Sequence, residues 1–175
     1  ASTTARNTFT LAADMKLTFS VRKTGNGLAA LKAKLDGKTT LVAGVLKGST
    51  ADVDDGKIHK TVPVAPYAAA NEFGTEKIPP RPFLRTTFAA KEQEWRKAVF
   101  LALQRRGVDH PEMALRDVGG LVRGDIVATI RTGHFTPLSP KTIEAKRRKG
   151  RPEPETPLID TGSLIRSVAY EVRKR

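Results

Sequence analysis

The sequence contains no cysteine, few aromatic residues and no long apolar run. Without cysteine, the 175-residue chain can form neither a disulfide nor a cysteine-ligated metal site. Aromatic residues make up 6% of the chain, and no apolar stretch approaches the roughly 18 residues that a membrane-spanning helix requires. The first residues also lack the apolar core of a secretory signal peptide. These absences predict an intracellular protein, made in the cytoplasm, that is either free or packaged into a particle.

The chain is instead rich in positive charge. It has 31 lysine and arginine residues against 18 aspartate and glutamate residues, a formal net charge of +13. A balance this basic favours polyanionic partners, namely nucleic acid, an anionic membrane or an acidic protein surface, and of these a membrane is not the expected partner. A basic domain that binds no such partner is the simpler alternative. A length of 175 residues is enough for one ordinary domain with a core. The hydrophobic content of 39% is lean, which suits a protein that gains stability by assembling with copies of itself.

Much of this charge lies in three clusters, at positions 105–106, 146–151 and 173–175. The middle cluster contains no aromatic residue, whereas proteins that bind single strands by stacking need aromatic side chains. It therefore suits sequence-independent contact with phosphates, or contact with an acidic protein. A solvated loop is the alternative. The predicted contact residues are Lys146, Arg147, Arg148, Lys149 and Arg151.

Strand patterns occur near both ends of the chain. Alternating apolar residues predict strands at 15–22 and 167–175, and β-branched residues predict another at 39–48. The polar segment at 49–60 is predicted to be a loop or a hairpin tip. These strands are expected to form a small antiparallel sheet.

Helical spacing dominates the rest of the chain. A long helix is predicted at 82–105 and another at 111–131, with shorter helices near 28–37, 67–73 and 140–149. Helices packed mainly on one face of the sheet give an α+β fold. Residues 1–15 are predicted to form an extended arm, and residues 16–175 one domain with a basic, proline-rich loop near 146–157.

Several positions carry more specific expectations. In the helix at 111–131, Gly119 and Gly120 indicate close packing or a kink. Ser139 is the predicted cap of the following short helix, and Asp160 or Thr161 the cap of a one-turn helix further on. The inner face of the helix at 111–131 is predicted to consist of Leu115, Val118, Val122, Ile126 and Ile130.

The most distinctive segment is residues 65–85. Pro66 suits the first turn of a short helix, and Gly74 suits its end. Three prolines between positions 79 and 82 then hold the chain extended, and Pro82 is placed to open the long helix. The pattern predicts a rigid proline corner, on which Arg81 and Arg85 are fixed.

The charged and aromatic residues of this corner are candidates for a protein contact. The arginine stems could simply cover the core, or the guanidinium groups could pair with carboxylates of a neighbouring subunit. Phe73 and Phe83 are expected in the core rather than at an interface, although Phe73 is kept among the candidates. The candidate interface residues are Arg81, Arg85, Glu72 and Phe73.

Two segments of the sequence resemble phage proteins. The stretch YAAANEFGTEKIPPRPFLRTTF, with EFGT at 72–75 and PRPFLR at 80–85, resembles the signature of minor tail-completion and head–tail joining proteins of tailed bacteriophages. The stretch PLIDTGSLIRSV at 157–168 resembles an element of phage virion-morphogenesis proteins. Together the two segments cover roughly a fifth of the chain.

This resemblance implies an α+β structural protein at the neck or the head-proximal end of the tail. It implies a homo-oligomeric ring of sixfold or twelvefold symmetry around the DNA path. Other neck, portal-adaptor or tail proteins would be its partners, with non-specific contact to duplex DNA in the channel. The chief alternative is a basic, sequence-independent nucleic-acid-binding protein.

Residues for catalysis or metal binding form no convincing pattern. His59, His110 and His134 lie in separate segments without metal-binding spacing, so structural or exposed histidines are expected. The acidic cluster at 52–55 lacks the remaining ligands of a calcium loop and is interpreted as an acidic turn. No serine has the G-x-S-x-G setting of a nucleophile elbow. Neither an enzyme nor a cofactor is expected, and an enzyme is the weakest of the three hypotheses.

Overall fold

The computed structural model describes residues 15–17, 39–54 and 59–174. These residues form five strands and five helices in an α+β arrangement, as the sequence predicts. In chain order, the elements are β1 (Met15–Leu17), β2 (Thr39–Val45), β3 (Thr50–Asp54), β4 (His59–Pro63), α1 (Val64–Phe73), α2 (Phe83–Arg106), α3 (Pro111–Thr132), α4 (Pro140–Arg148), α5 (Ser163–Ser167) and β5 (Val168–Lys174).

The main sheet has three antiparallel strands in the order β1-β2-β5. Strand β2 lies in the centre, with Leu41 opposite Val172 and Val45 opposite Val168. Leu41, Ala43 and Val45 occupy alternate positions and belong to the buried core. The predicted pairing of a strand from the start of the chain with the last strand is confirmed.

Helix α3 contacts both β2 and β5, and the long helix α2 packs against α3. The predicted inner face of α3 is confirmed, since all five of its apolar residues are buried. In α2, Trp95 is fully buried and its Nε1 donates a hydrogen bond to Asp125 Oδ2 of α3 at 2.6 Å. A T-shaped contact with Phe88 holds the other side of the indole, with 6.0 Å between ring centroids.

The predicted helix boundaries are close to the observed ones. Helix α1 contains Pro66 in its first turn and ends at Gly74, which has φ +78°. Helix α2 begins one residue after Pro82 and ends at Gly107, at φ +83°. Ser139 caps α4 by accepting a hydrogen bond from the backbone N–H of Thr142 at 3.3 Å, as predicted.

Gly119 of α3 lies directly beneath the ring of Tyr170 in β5. A Cβ atom at this position would lie 2.2 Å from Tyr170 Cδ2, far inside van der Waals contact. Nothing lies within 4 Å of the same position at Gly120. Close packing is therefore the role of Gly119 alone, and it lets β5 approach the helix.

Other expectations need correction or cannot be compared. The segment at 49–60 is mostly strand, because β3 and β4 form a hairpin with their own register. Helix α5 is preceded by Gly162 and has no side-chain cap, so the predicted capping by Asp160 or Thr161 is wrong. The predicted basic loop at 146–157 begins inside the last turn of α4. The predicted helix at 28–37 and the arm at 1–14 lie outside the described residues.

Candidate functional site

Glu72 lies buried against the N-terminus of the long helix α2. Its carboxylate accepts hydrogen bonds from the backbone N–H groups of Leu84 at 2.8 Å and Arg85 at 3.0 Å. The first N–H groups of a helix have no partner inside the helix, and a negative charge there also complements the helix dipole. Glu72 is only 2% exposed. The prediction that Glu72 contacts a partner is therefore corrected: it caps α2 within its own chain.

Arg81 is also an internal residue, with 5% of its surface exposed. Its Nε donates to the carbonyl of Thr136 at 2.8 Å, and its Nη2 donates to the carbonyl of Pro137 at 3.2 Å. Its backbone N–H donates to the Asn71 carbonyl at 2.6 Å. Arg81 thus ties the proline corner to the loop after α3. Its predicted role as a subunit contact is corrected for the same reason as that of Glu72.

Arg85 and Phe73 are the two interface candidates that reach the surface. The Arg85 side chain is 52% exposed, and its Nε lies 3.0 Å from Glu72 Oε1. Its guanidinium carbon stands 5.1 Å from the centroid of the Phe73 ring, within the range of a cation–π contact. Phe73 is 44% exposed, so its expected place in the core is wrong, whereas Phe83 is fully buried as expected. Phe73 and Arg85 together are called the corner patch below.

Lys146, predicted to contact phosphates, points into the molecule. Its Nζ donates to three carbonyl oxygens, those of Glu153 at 3.1 Å, Thr156 at 2.9 Å and Ile159 at 2.6 Å. An ammonium group has three donors, so these bonds use all of them. Burial lowers the pKa of Lys146, while the carboxylates of Asp160 and Glu153 oppose that shift. The prediction that Lys146 contacts nucleic acid is therefore corrected.

The rest of the basic cluster is divided between paired and unpaired side chains. Arg147 Nη2 lies 2.6 Å from Glu155 Oε1, and Arg151 Nε lies 3.0 Å from Asp160 Oδ1. Across the described ranges the structure contains no ion pair for Arg148 or Lys149, and both are exposed. Two of the five predicted contact residues thus offer a free charge at the surface.

The proline corner and a second segment, residues 157–168, line a common cleft. The cleft has a volume of about 280 Å³. The corner contributes Tyr67, Asn71 and Arg81, and the second segment contributes Leu158, Ile159 and Asp160. Helix α4 forms the third wall, and Lys149 stands just beyond its end.

The sequence did not single out this cleft, although each of its walls was visible as a motif. Leu158, in the second segment, is buried and has φ +63°, a conformation that costs a non-glycine residue about 1–2 kcal/mol. The Lys146 bond to the neighbouring Ile159 carbonyl helps to hold this segment in place. The occurrence of two phage-like segments in one chain is the signal that could have pointed to a shared site.

Within 15–17, 39–54 and 59–174, no group of three or more His, Asp or Glu side chains could hold a metal ion. His110 and His134 are exposed, as the sequence predicts. In the same residues, no helix is both long enough and apolar enough to span a bilayer.

Comparison with known proteins identifies no similar protein. No protein-family model, curated protein or solved structure matches the chain. The function is therefore argued from the residues described above and from the two segments that resemble phage proteins.

Proposed function

We propose that this protein is a structural component of a tailed-phage virion, at the neck or the head-proximal end of the tail. It assembles with copies of itself into a ring around the DNA path and binds neighbouring portal-adaptor, neck or tail proteins. Its contribution is assembly and not catalysis. The sixfold or twelvefold symmetry implied by the sequence resemblance belongs to the same proposal.

The observation that carries this proposal is the convergence of the two phage-like segments. They are separated by about 70 residues in the sequence, yet Asn71 of the first and Asp160 of the second line the same cleft. Their convergence supports a single surface shared with phage assembly proteins.

The corner patch gives this surface a contact point. Phe73 is an exposed aromatic side chain on a rigid support, since Glu72 and Arg81 fix the corner to the rest of the fold. Aromatic and arginine side chains are enriched in the energetically important parts of protein interfaces. Ring closure requires two different faces on each copy, and the corner patch is proposed as part of one of them.

Labelling of particles with an antibody tests the proposed location. Purified virions are incubated with a gold-labelled antibody against this chain and imaged by electron microscopy, with the cleared lysate as control. The expected result is label concentrated at the junction between head and tail. Label along the whole tail, or absence of label from particles that contain all other components, would contradict the proposal.

A second candidate function is sequence-independent binding of nucleic acid. The net charge of +13 and the free side chains of Arg148 and Lys149 favour it. This function predicts that the isolated chain binds random-sequence duplex DNA with an affinity that falls steeply with salt. Replacing Arg148 and Lys149 by glutamine should then reduce the salt dependence by about two phosphate contacts. A chain that binds no DNA at 150 mM salt would leave assembly as the function.

A further inference from the structure

The mouth of the cleft carries positive charge that its own chain does not neutralise. Lys149 lines the cleft and Arg148 precedes it, and both are exposed. The neighbouring Arg147 and Arg151 have carboxylate partners within 3.0 Å. In the part of the chain that the structure describes, no carboxylate pairs with Arg148 or Lys149. The mouth therefore suits an acidic segment of another chain.

The two strands of the β3–β4 hairpin carry more acidic than basic side chains. Its two strands form a sheet of their own, separate from the three-stranded sheet. The base is fixed by a hydrogen bond from Val64 N–H to the Ser49 carbonyl at 2.9 Å, and Ala51 packs partly buried against the core. Asp52 is exposed, and Asp54 occupies the alternate strand position beyond it. The two strands together carry two aspartates and one lysine, the exposed Lys60, on a chain of net charge +13.

The hairpin is joined to the rest of the fold at its base, and its strands extend away from that point. Five residues of strand carry the chain about 16 Å from the base. The exposed Asp52 therefore lies where a neighbouring molecule could reach it.

We propose that the acidic hairpin of one copy docks at the cationic mouth of the cleft on the next copy. This inference rests on the ring assembly proposed above and names the contact that joins adjacent subunits. The contact is heterologous, because the hairpin and the cleft are different surfaces of the same chain. Repetition of a heterologous contact produces a ring when the rotation closes.

Cysteine cross-linking tests this contact directly, because the natural chain contains no cysteine. A full-length chain carrying Asp52→Cys and Lys149→Cys is treated with a short bis-maleimide cross-linker and separated on a denaturing gel. The expected result is a ladder of covalent oligomers that stops at the ring size. The matched control replaces Lys149→Cys by Lys141→Cys, an exposed position on α4 outside the cleft. The absence of a ladder, or an equal ladder from the control, would overturn the proposal.

Charge reversal gives an independent test. The variants Asp52→Lys/Asp54→Lys and Arg148→Glu/Lys149→Glu should each weaken self-association by about tenfold or more, because like charges then meet. A one-to-one mixture of the two variants should recover association, since each hairpin then finds a cleft of opposite charge. Sedimentation velocity measures the assembly, and circular dichroism confirms that each variant is folded. The single change Lys141→Glu should leave association unchanged.

Two results of the charge-reversal test would overturn the proposal. One is a mixture that associates no better than either variant alone, and the other is a wild-type chain that stays monomeric at every concentration tested. The proposed function is judged separately by antibody labelling of particles. Label at the head–tail junction without hairpin-to-cleft cross-links would reject this contact and leave the location in place.

Discussion

The proline corner is held together by charged side chains that are almost completely enclosed. Glu72 accepts two backbone hydrogen bonds at the start of α2 and a third from Arg85 Nε at 3.0 Å. Arg81 spans from the corner to the carbonyls of Thr136 and Pro137. Buried charges are costly unless each is paired, and here each has its partners. These two residues therefore shape the corner, and the exposed corner patch depends on them.

Replacing Glu72 with alanine should destabilise the fold. The change removes the cap of α2 and leaves two backbone N–H groups without an acceptor, which we expect to cost about 2–4 kcal/mol of unfolding free energy. Urea denaturation followed by circular dichroism measures the effect. Glu76→Ala is the matched control, since Glu76 is exposed and its loss should change stability by less than about 0.5 kcal/mol. Equal stability of the Glu72→Ala variant and the wild type would contradict the capping role.

Replacing Lys146, in the wall of the cleft, should also lower the stability of the fold. Lys146→Met keeps the length of the side chain but leaves three carbonyls without their donor, at a cost of about 1–3 kcal/mol. Arg148→Met on the same helix should cost less than about 0.5 kcal/mol, because Arg148 is exposed and makes no ion pair within the described segments. Thermal and urea unfolding measure the loss of unfolding free energy in both variants. Similar losses from the two would show that the three bonds contribute little.

The sequence could not reveal that these charged residues are internal. Lysine, arginine and glutamate are rarely buried, so surface positions were the reasonable expectation for Glu72, Arg81 and Lys146. The partners of Arg81 lie 55 and 56 residues away in the chain, and no local pattern marks such contacts. The position of the corner itself was predictable, because proline and glycine restrict the backbone locally.

At the scale of elements, the fold depends on the close approach of β5 to α3. The Tyr170 ring occupies the space that a side chain at Gly119 would need. From α3, Arg123 Nε donates to the Val168 carbonyl at the start of β5 at 2.8 Å. The last strand of the main sheet is therefore positioned by two separate contacts with α3.

Replacing each of two adjacent glycines of α3 by alanine should have opposite effects on the unfolding free energy. Gly119→Ala should destabilise the fold by about 1–3 kcal/mol, because its Cβ would overlap the Tyr170 ring. Gly120→Ala should stabilise it by about 0.5–1 kcal/mol, because its surroundings are open and alanine favours helix. The urea midpoints of unfolding of the two variants are compared with that of the wild type. A stabilising Gly119→Ala would show that β5 moves away from α3 without cost.

The helices were the most predictable elements, for a physical reason. The inner face of α3 repeats apolar residues at helical spacing over 22 residues, which fixes both its type and its orientation. The hairpin at 50–63 was less visible, since its strands are short and polar and are stabilised by pairing with each other. The cleft was not predictable, because it forms where three separate parts of the chain meet.

At the scale of the whole molecule, we propose that the protein is a subunit that contributes two surfaces to an assembly. The corner patch lies beside the start of α2; Lys149 lines the cleft, and the exposed Arg148 precedes it in the chain. In the acidic hairpin, the exposed Asp52 accepts a hydrogen bond from Thr61 Oγ1 at 2.7 Å and still faces solvent. Each of these features is explained if copies of the chain contact one another.

The corner patch gives a prediction about assembly. Phe73→Ser should lower the unfolding free energy by less than about 1 kcal/mol, since the ring is 44% exposed and loses mainly its contact with Arg85. The same change should reduce incorporation of the chain into particles several-fold, as measured by quantitative blotting of purified virions. Phe100→Ser is the control, because Phe100 is exposed on the outer side of α2. Equal losses from the two variants would contradict the assignment of the interface to the corner.

The central claim, a role in joining head and tail, is tested most directly by complementation in vitro. A phage lacking this gene is grown, and its lysate is imaged by electron microscopy before and after addition of the purified full-length chain. The account predicts separate heads and tails before addition, and joined particles afterwards. Particles that are already joined without this chain would contradict a role in joining head and tail. The second candidate function, binding of nucleic acid, would then be favoured.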